Sequence, residues 1–145
     1  MTRFLQSVVF GLAFAAMTAN AITARSEILT YKAELKGTHE VPPNQSKGTG
    51  AVTLSYDTTD KLLSWKGTHA ELSGPVTAAH FHGPAASGRN AAIALAIVIG
   101  SLPSAFEGSA KLTESQAADL MAGRWYLNLH TAAFPAGEIR GQVVK

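Results

Sequence analysis

The chain has 145 residues, 46% hydrophobic and 15% charged, with five histidines, no cysteine and a formal net charge of +2. That length makes one domain with an adequate core. The near-neutral balance excludes an electrostatic nucleic-acid footprint, and the missing thiols exclude both disulfide stabilisation and a blue-copper centre.

In chain order, residues 1–21 read as a secretory signal peptide: Arg3 gives a positive start, Val8 to Met17 an apolar stretch, and Ala19-Asn20-Ala21 a small-residue cleavage site, with Ile22-Thr23-Ala24 a second possible site. The apolar stretch is too short to span a bilayer and no cysteine follows it to take a lipid, so no stable membrane anchor is expected. The remainder, 22–145, is expected to be a single periplasmic or secreted domain. Losing Arg3 leaves eleven basic against ten acidic residues, a formal charge of +1.

Leu29, Tyr31, Ala33 and Leu35 alternate with polar residues, the pattern of a half-buried strand. A polar loop from Gly37 to Gly50 follows. Val52, Leu54 and Tyr56 alternate again, Asp57 to Asp60 supplies a turn, and Leu63 and Trp65 continue in a hairpin partner. Val76 to His82 and the apolar run Ile93 to Ile99 are expected as central strands, with Val76, Ala78, His80 and His82 on one face and Phe81 opposite. One helix is expected, Glu114 to Ala122, capped by Thr113 with Gln116 reaching back, stapled by Leu112 and Ala117, and ended by Gly123. Trp125, Leu127 and Leu129 then face the core while Tyr126, Asn128 and His130 face away from it, and a last strand runs from Glu138 to Val144. Short strands separated by Gly, Pro and Asp turns predict an all-β antiparallel Greek-key sandwich or barrel with one short helix.

Four runs carry a family resemblance: Leu35 to Pro43 (LKGTHEVPP), Leu72 to Ala85 (LSGPVTAAHFHGPA), Gly123 to Thr131 (GRWYLNLHT) and Phe134 to Gln142 (FPAGEIRGQ). In this order they resemble the CHRD domain, the module repeated in chordin and found alone in many secreted bacterial proteins. The resemblance implies the fold and a set of family positions, and by analogy with chordin a protein-interaction role, but no agreed chemistry. His39 stands where the family more usually has a residue such as Asn.

The residues themselves suggest a metal site. His80 and His82, at i and i+2 of a strand, rise from one face, and His130 from a neighbouring strand would complete three nitrogens. Imidazole suits copper or zinc as a divalent ion. Tyr126, Asn128, Glu138 and Arg140 are the expected supporting shell, with Glu138 accepting from His130 or pairing with Arg140. Three readings stay open: a binding module with a His80/His82/His130 metal site, a metal-free module interacting with another extracytoplasmic protein, and a small redox metalloenzyme. No catalytic residue is assigned, since Ser73, Ser87 and Ser104 lack a nucleophile elbow. His39, beside Glu40 in the Pro-rich loop, is expected to be solvated or a loop brace, and His69 a strand-end residue just past the Leu63/Trp65 strand.

Overall fold

The structure, a computed structural model, describes residues 26–145, so the expected signal peptide lies outside the described residues. Eight strands form in chain order: β1 (Ile28–Lys36), β2 (Thr49–Asp57), β3 (Leu62–Ala70), β4 (Val76–His82), β5 (Ile93–Leu102), β6 (Ala105–Lys111), β7 (Tyr126–Thr131) and β8 (Ile139–Gln142). One helix, α1 (Glu114–Met121), stands between β6 and β7. All strand pairings are antiparallel within one sheet of order β5-β4-β7-β8-β1-β2-β3-β6. Only Pro103 and Ser104 separate β5 from β6, yet these strands occupy opposite ends of that order. The sheet must therefore roll up until its two edges adjoin, which makes a nearly closed barrel.

Period-two patterning builds the interior. Tyr31, Ala33 and Leu35 of β1, Val52, Leu54 and Tyr56 of β2, and Leu63 and Trp65 of β3 all point into one core with Phe81, Trp125, Leu127, Leu129 and Ile139. Phe81 lies between the two tryptophans, 5.6 Å from Trp65 edge-on and 5.7 Å from Trp125, each measured between ring centroids. Such aromatic clusters favour edge-to-face and offset contacts. The strand that presents His80 and His82 outward is thus fixed from behind by Phe81.

The helix starts as its sequence dictates: Thr113 Oγ1 accepts from Gln116 N (3.2 Å) while Gln116 Oε1 accepts from Thr113 N (2.9 Å). It ends one residue earlier than expected, with Ala122 as C-cap and Gly123 at φ +69, where a side chain would be strained. Gln116 also donates to Ala94 O (2.8 Å), tying the helix to β5.

Several expectations change. The run Ile93 to Ile99 belongs to β5, an edge strand and not a central one, with Ile93 exposed. A register shift between Val76 and Ala78 turns Val76 into the core, off the face of His80 and His82. β6 was not anticipated; its register places Phe106 opposite Gly67 and Gly108 opposite Trp65, so each ring covers the partner strand's glycine. The last strand is shorter than Glu138 to Val144, with Val144 only bridging to Lys32. His69 does stand at a strand end as expected, one residue before β3 finishes at Ala70, its ring 6.3 Å from that of Phe106.

Candidate metal centre

The outer face of the β4-β7-β8 segment carries polar side chains in register. Across it, His82 pairs with Tyr126 and Tyr126 with Gln142, while His80 pairs with Asn128 and Asn128 with Arg140; His130 lies opposite Ala78. This face was expected to turn away from the core, and it does, yet it is only partly open to solvent. The loop after β1, the β4-β5 loop and the β7-β8 hairpin cover it, leaving Tyr126, Asn128 and Arg140 buried.

His80, His82 and His130 come together there. Each offers one ring nitrogen, and the three nitrogens lie within 4.8 Å of one another. The rings of His80 and His82 are 5.6 Å apart and those of His80 and His130 5.1 Å, at steep interplanar angles of 81° and 63°. Rings so inclined converge on a point and do not stack on each other. His82 Nδ1 donates to Ala91 O (3.0 Å) and His130 Nδ1 to Pro135 O (3.0 Å). A carbonyl only accepts, so Nδ1 carries a proton in both rings, and in the neutral tautomer that this selects Nε2 carries the free lone pair. Those Nε2 atoms, with His80 Nδ1, are buried without a hydrogen-bond partner. Burial, with the neighbouring histidines, holds the His80 pKa below its ordinary value of 6.5; burial also dominates at His82, where the Ala91 bond opposes it and His130 and Arg140 reinforce it. Neutral imidazoles with orphaned lone pairs fit a transition-metal ion.

The supporting residues are arranged differently from expectation. Tyr126 stacks flat on His82, centroids 4.8 Å apart at 2°, and the Arg140 guanidinium carbon lies 3.5 Å from the Tyr126 ring centroid. Since β4 and β8 flank β7 on opposite sides, Tyr126 separates the two. Tyr126 Oη accepts from Ala91 N (3.1 Å), so Ala91 is held at both its amide and its carbonyl. Arg140 donates to Asn90 Oδ1 (2.8 Å) and Arg89 O (2.5 Å), pinning the β4-β5 loop.

Glu138 neither accepts from His130 nor pairs with Arg140. Its carboxylate accepts from Ser46 Oγ (2.7 Å), Ser73 N (2.8 Å), Ser73 Oγ (2.7 Å) and Thr131 Oγ1 (2.6 Å), which satisfies both oxygens. Burial alone would raise its pKa, but these bonds outweigh it and hold the carboxyl below its ordinary value. Asn128 is also engaged elsewhere: Nδ2 donates to Glu40 Oε1 (2.5 Å).

Glu40 is the residue that sequence reasoning passed over. It is 7% exposed, and burial pushes its pKa up to about 7 against the opposing pull of Arg140 and Asn128. With Arg140, His39 and Gln142 it lines a surface cavity of about 360 Å³. The available signal was the Glu-Val-Pro-Pro run, whose prolines restrict the loop that carries the carboxyl inward. Its neighbour His39 is an exposed brace as expected, donating from Nδ1 to Glu34 O (3.3 Å).

The chain matches no curated protein and no solved structure. No helix among the described residues is long and apolar enough to cross a membrane. The model of the CHRD domain, an extracellular-type module, matches residues 31–143, a span that holds all eight strands in whole or part, the three histidines and Glu40. The chain therefore belongs to the CHRD domain family.

Proposed function

We propose that this protein is an exported, periplasmic or secreted binding module that holds a copper or zinc ion through His80, His82 and His130. One observation carries the reading: three half-buried imidazoles converge with lone pairs that no protein group uses, while two of them are fixed through Nδ1 to backbone carbonyls. An imidazole bound to metal commonly donates its other nitrogen in this way, which fixes tautomer and orientation. A network serving structure alone would be expected to leave fewer buried acceptors unpaired, since each costs free energy.

Titration of the purified chain with Zn(II) and Cu(II) at pH 7.5 tests this. The wild type should bind one ion with micromolar or tighter affinity. Loss of any one of the three histidines to alanine should abolish tight binding, and loss of His39 or His69 should not. Because ligation needs neutral rings and His80 and His82 are held below the ordinary value, binding should persist somewhat below pH 6.5 and fail toward about pH 5. No binding by the wild type, or tight binding that survives triple substitution, would hand the case to a metal-free interaction module.

A further inference from the structure

We propose that this site selects monovalent copper, Cu(I), over Zn(II) and Cu(II), because its ligands are all neutral and the nearest stacked neighbour of His82 carries the Arg140 charge. The inference rests on the three-histidine reading and specifies its occupant.

The donor set carries no charge of its own. Among the described residues, the group that can close on an ion consists of His80, His82 and His130 alone, with no carboxylate in it. Whatever charge the ion brings stays in a half-buried site, where uncompensated charge is costly. A monocation brings half the charge of a dication. Having the lower charge, it is also satisfied by three nitrogens without the fourth, water ligand that zinc takes in three-histidine sites.

A fixed cation lies close by. The guanidinium carbon is 3.5 Å from the Tyr126 centroid and that centroid 4.8 Å from His82, so the charge is no more than about 8 Å from the His82 ring. An ion ligated by His82 lies about 3 Å beyond that ring centre, and at an effective dielectric near 20 a unit charge about 11 Å away shifts an equilibrium about tenfold for each further unit of charge on the ion. Arg140 is 2% exposed and held by Asn90 and Arg89, so solvent and side-chain motion do little to screen it. The nearby negative groups compensate incompletely. Glu138 is held by four hydrogen bonds from Ser46, Ser73 and Thr131 and touches none of the three histidines, and Glu40 is linked to the histidine row only through Asn128.

The test measures three affinities on the full chain at pH 8: Cu(I) anaerobically against a chromogenic copper(I) chelator, and Zn(II) and Cu(II) against competing chelators. Cu(I) should bind at least a hundredfold tighter than Zn(II). Arg140→Met should lower that preference about tenfold or more by relieving the dication. Glu40→Gln, which removes a negative charge and keeps the amide able to meet Asn128, should raise it severalfold. Opposite shifts from the two variants are not expected of merely structural damage. If Arg140→Met fails to fold, the Glu40→Gln shift decides the sign. Zn(II) binding as tightly as Cu(I), or a preference that Glu40→Gln leaves unchanged or lowers, overturns the inference and leaves the three-histidine reading standing. A wild type that binds none of the three metals overturns both.

Discussion

Glu40 buries a carboxyl beside a guanidinium without forming an ion pair with it, and the consequence is a pH-dependent cost to folding. Its pKa rises from about 4.5 to about 7, first through burial, so the stability of the protonated form is fully present below pH 4.5 and lost as pH climbs through 7. A shift of that size corresponds to roughly 3 kcal/mol at alkaline pH. Glu40→Gln should accordingly match the wild type near pH 5 and melt several degrees higher at pH 8.5, as thermal denaturation followed by circular dichroism would record. Equal melting temperatures at both pH values would mean that the carboxyl is solvated after all. The histidines act in the opposite sense. With folded pKa values below 6.5, His80 and His82 favour the fold above that pH and withdraw their support as pH falls.

At the scale of elements, Glu138 joins three segments that are far apart in sequence. Ser46 belongs to the loop after β1, Ser73 to the β3-β4 connection, and Thr131 to the end of β7. Because its pKa is lowered, its contribution is present above pH 4.5 and lost as pH falls through the carboxylate range. Glu138→Gln should cost about 2 to 4 kcal/mol by mismatching these donors, read as a lower midpoint in urea. It should leave metal affinity nearly unchanged, because its carboxylate touches none of the three histidines; a tenfold loss would show that the Thr131 link orients His130. Such connections explain what was legible in the chain. Alternation in β1, β2, β3 and β7, and the Thr113–Gln116 capping box, are local and could be read directly. The three-histidine cluster was also legible, since i, i+2 spacing fixes one face and only pairing of β4 with β7 had to be supplied. Glu40 and Glu138 find their partners 88 and up to 92 residues away, which no local pattern encodes. β6 escaped because Gly108 and Ala110 give its inward face little hydrophobic signal, and β5 looked central because an apolar run does not say how many neighbours a strand has.

For the whole molecule, no cysteine is present and one core must hold the barrel together. A metal joining β4 to β7 would add a cross-strand tie on the face away from that core. Saturating the chain with Zn(II) at a hundredfold excess over its dissociation constant should stabilise the fold by about 2.7 kcal/mol, seen as a higher melting temperature that vanishes in the His80→Ala, His82→Ala, His130→Ala variant. A melting temperature indifferent to zinc in the wild type would exclude preferential binding to the folded state. The rolled sheet gives this tie a timescale. Its seam lies where β5 and β6 adjoin without pairing, and edge strands are where local opening is cheapest. Ala91, whose carbonyl steers His82, sits two residues before β5 begins. Each transient peeling of that edge would free the His82 ring to rotate, so the residence time of a bound ion would be set by how often the seam breathes, and a cross-link from β5 to β6 would slow its escape.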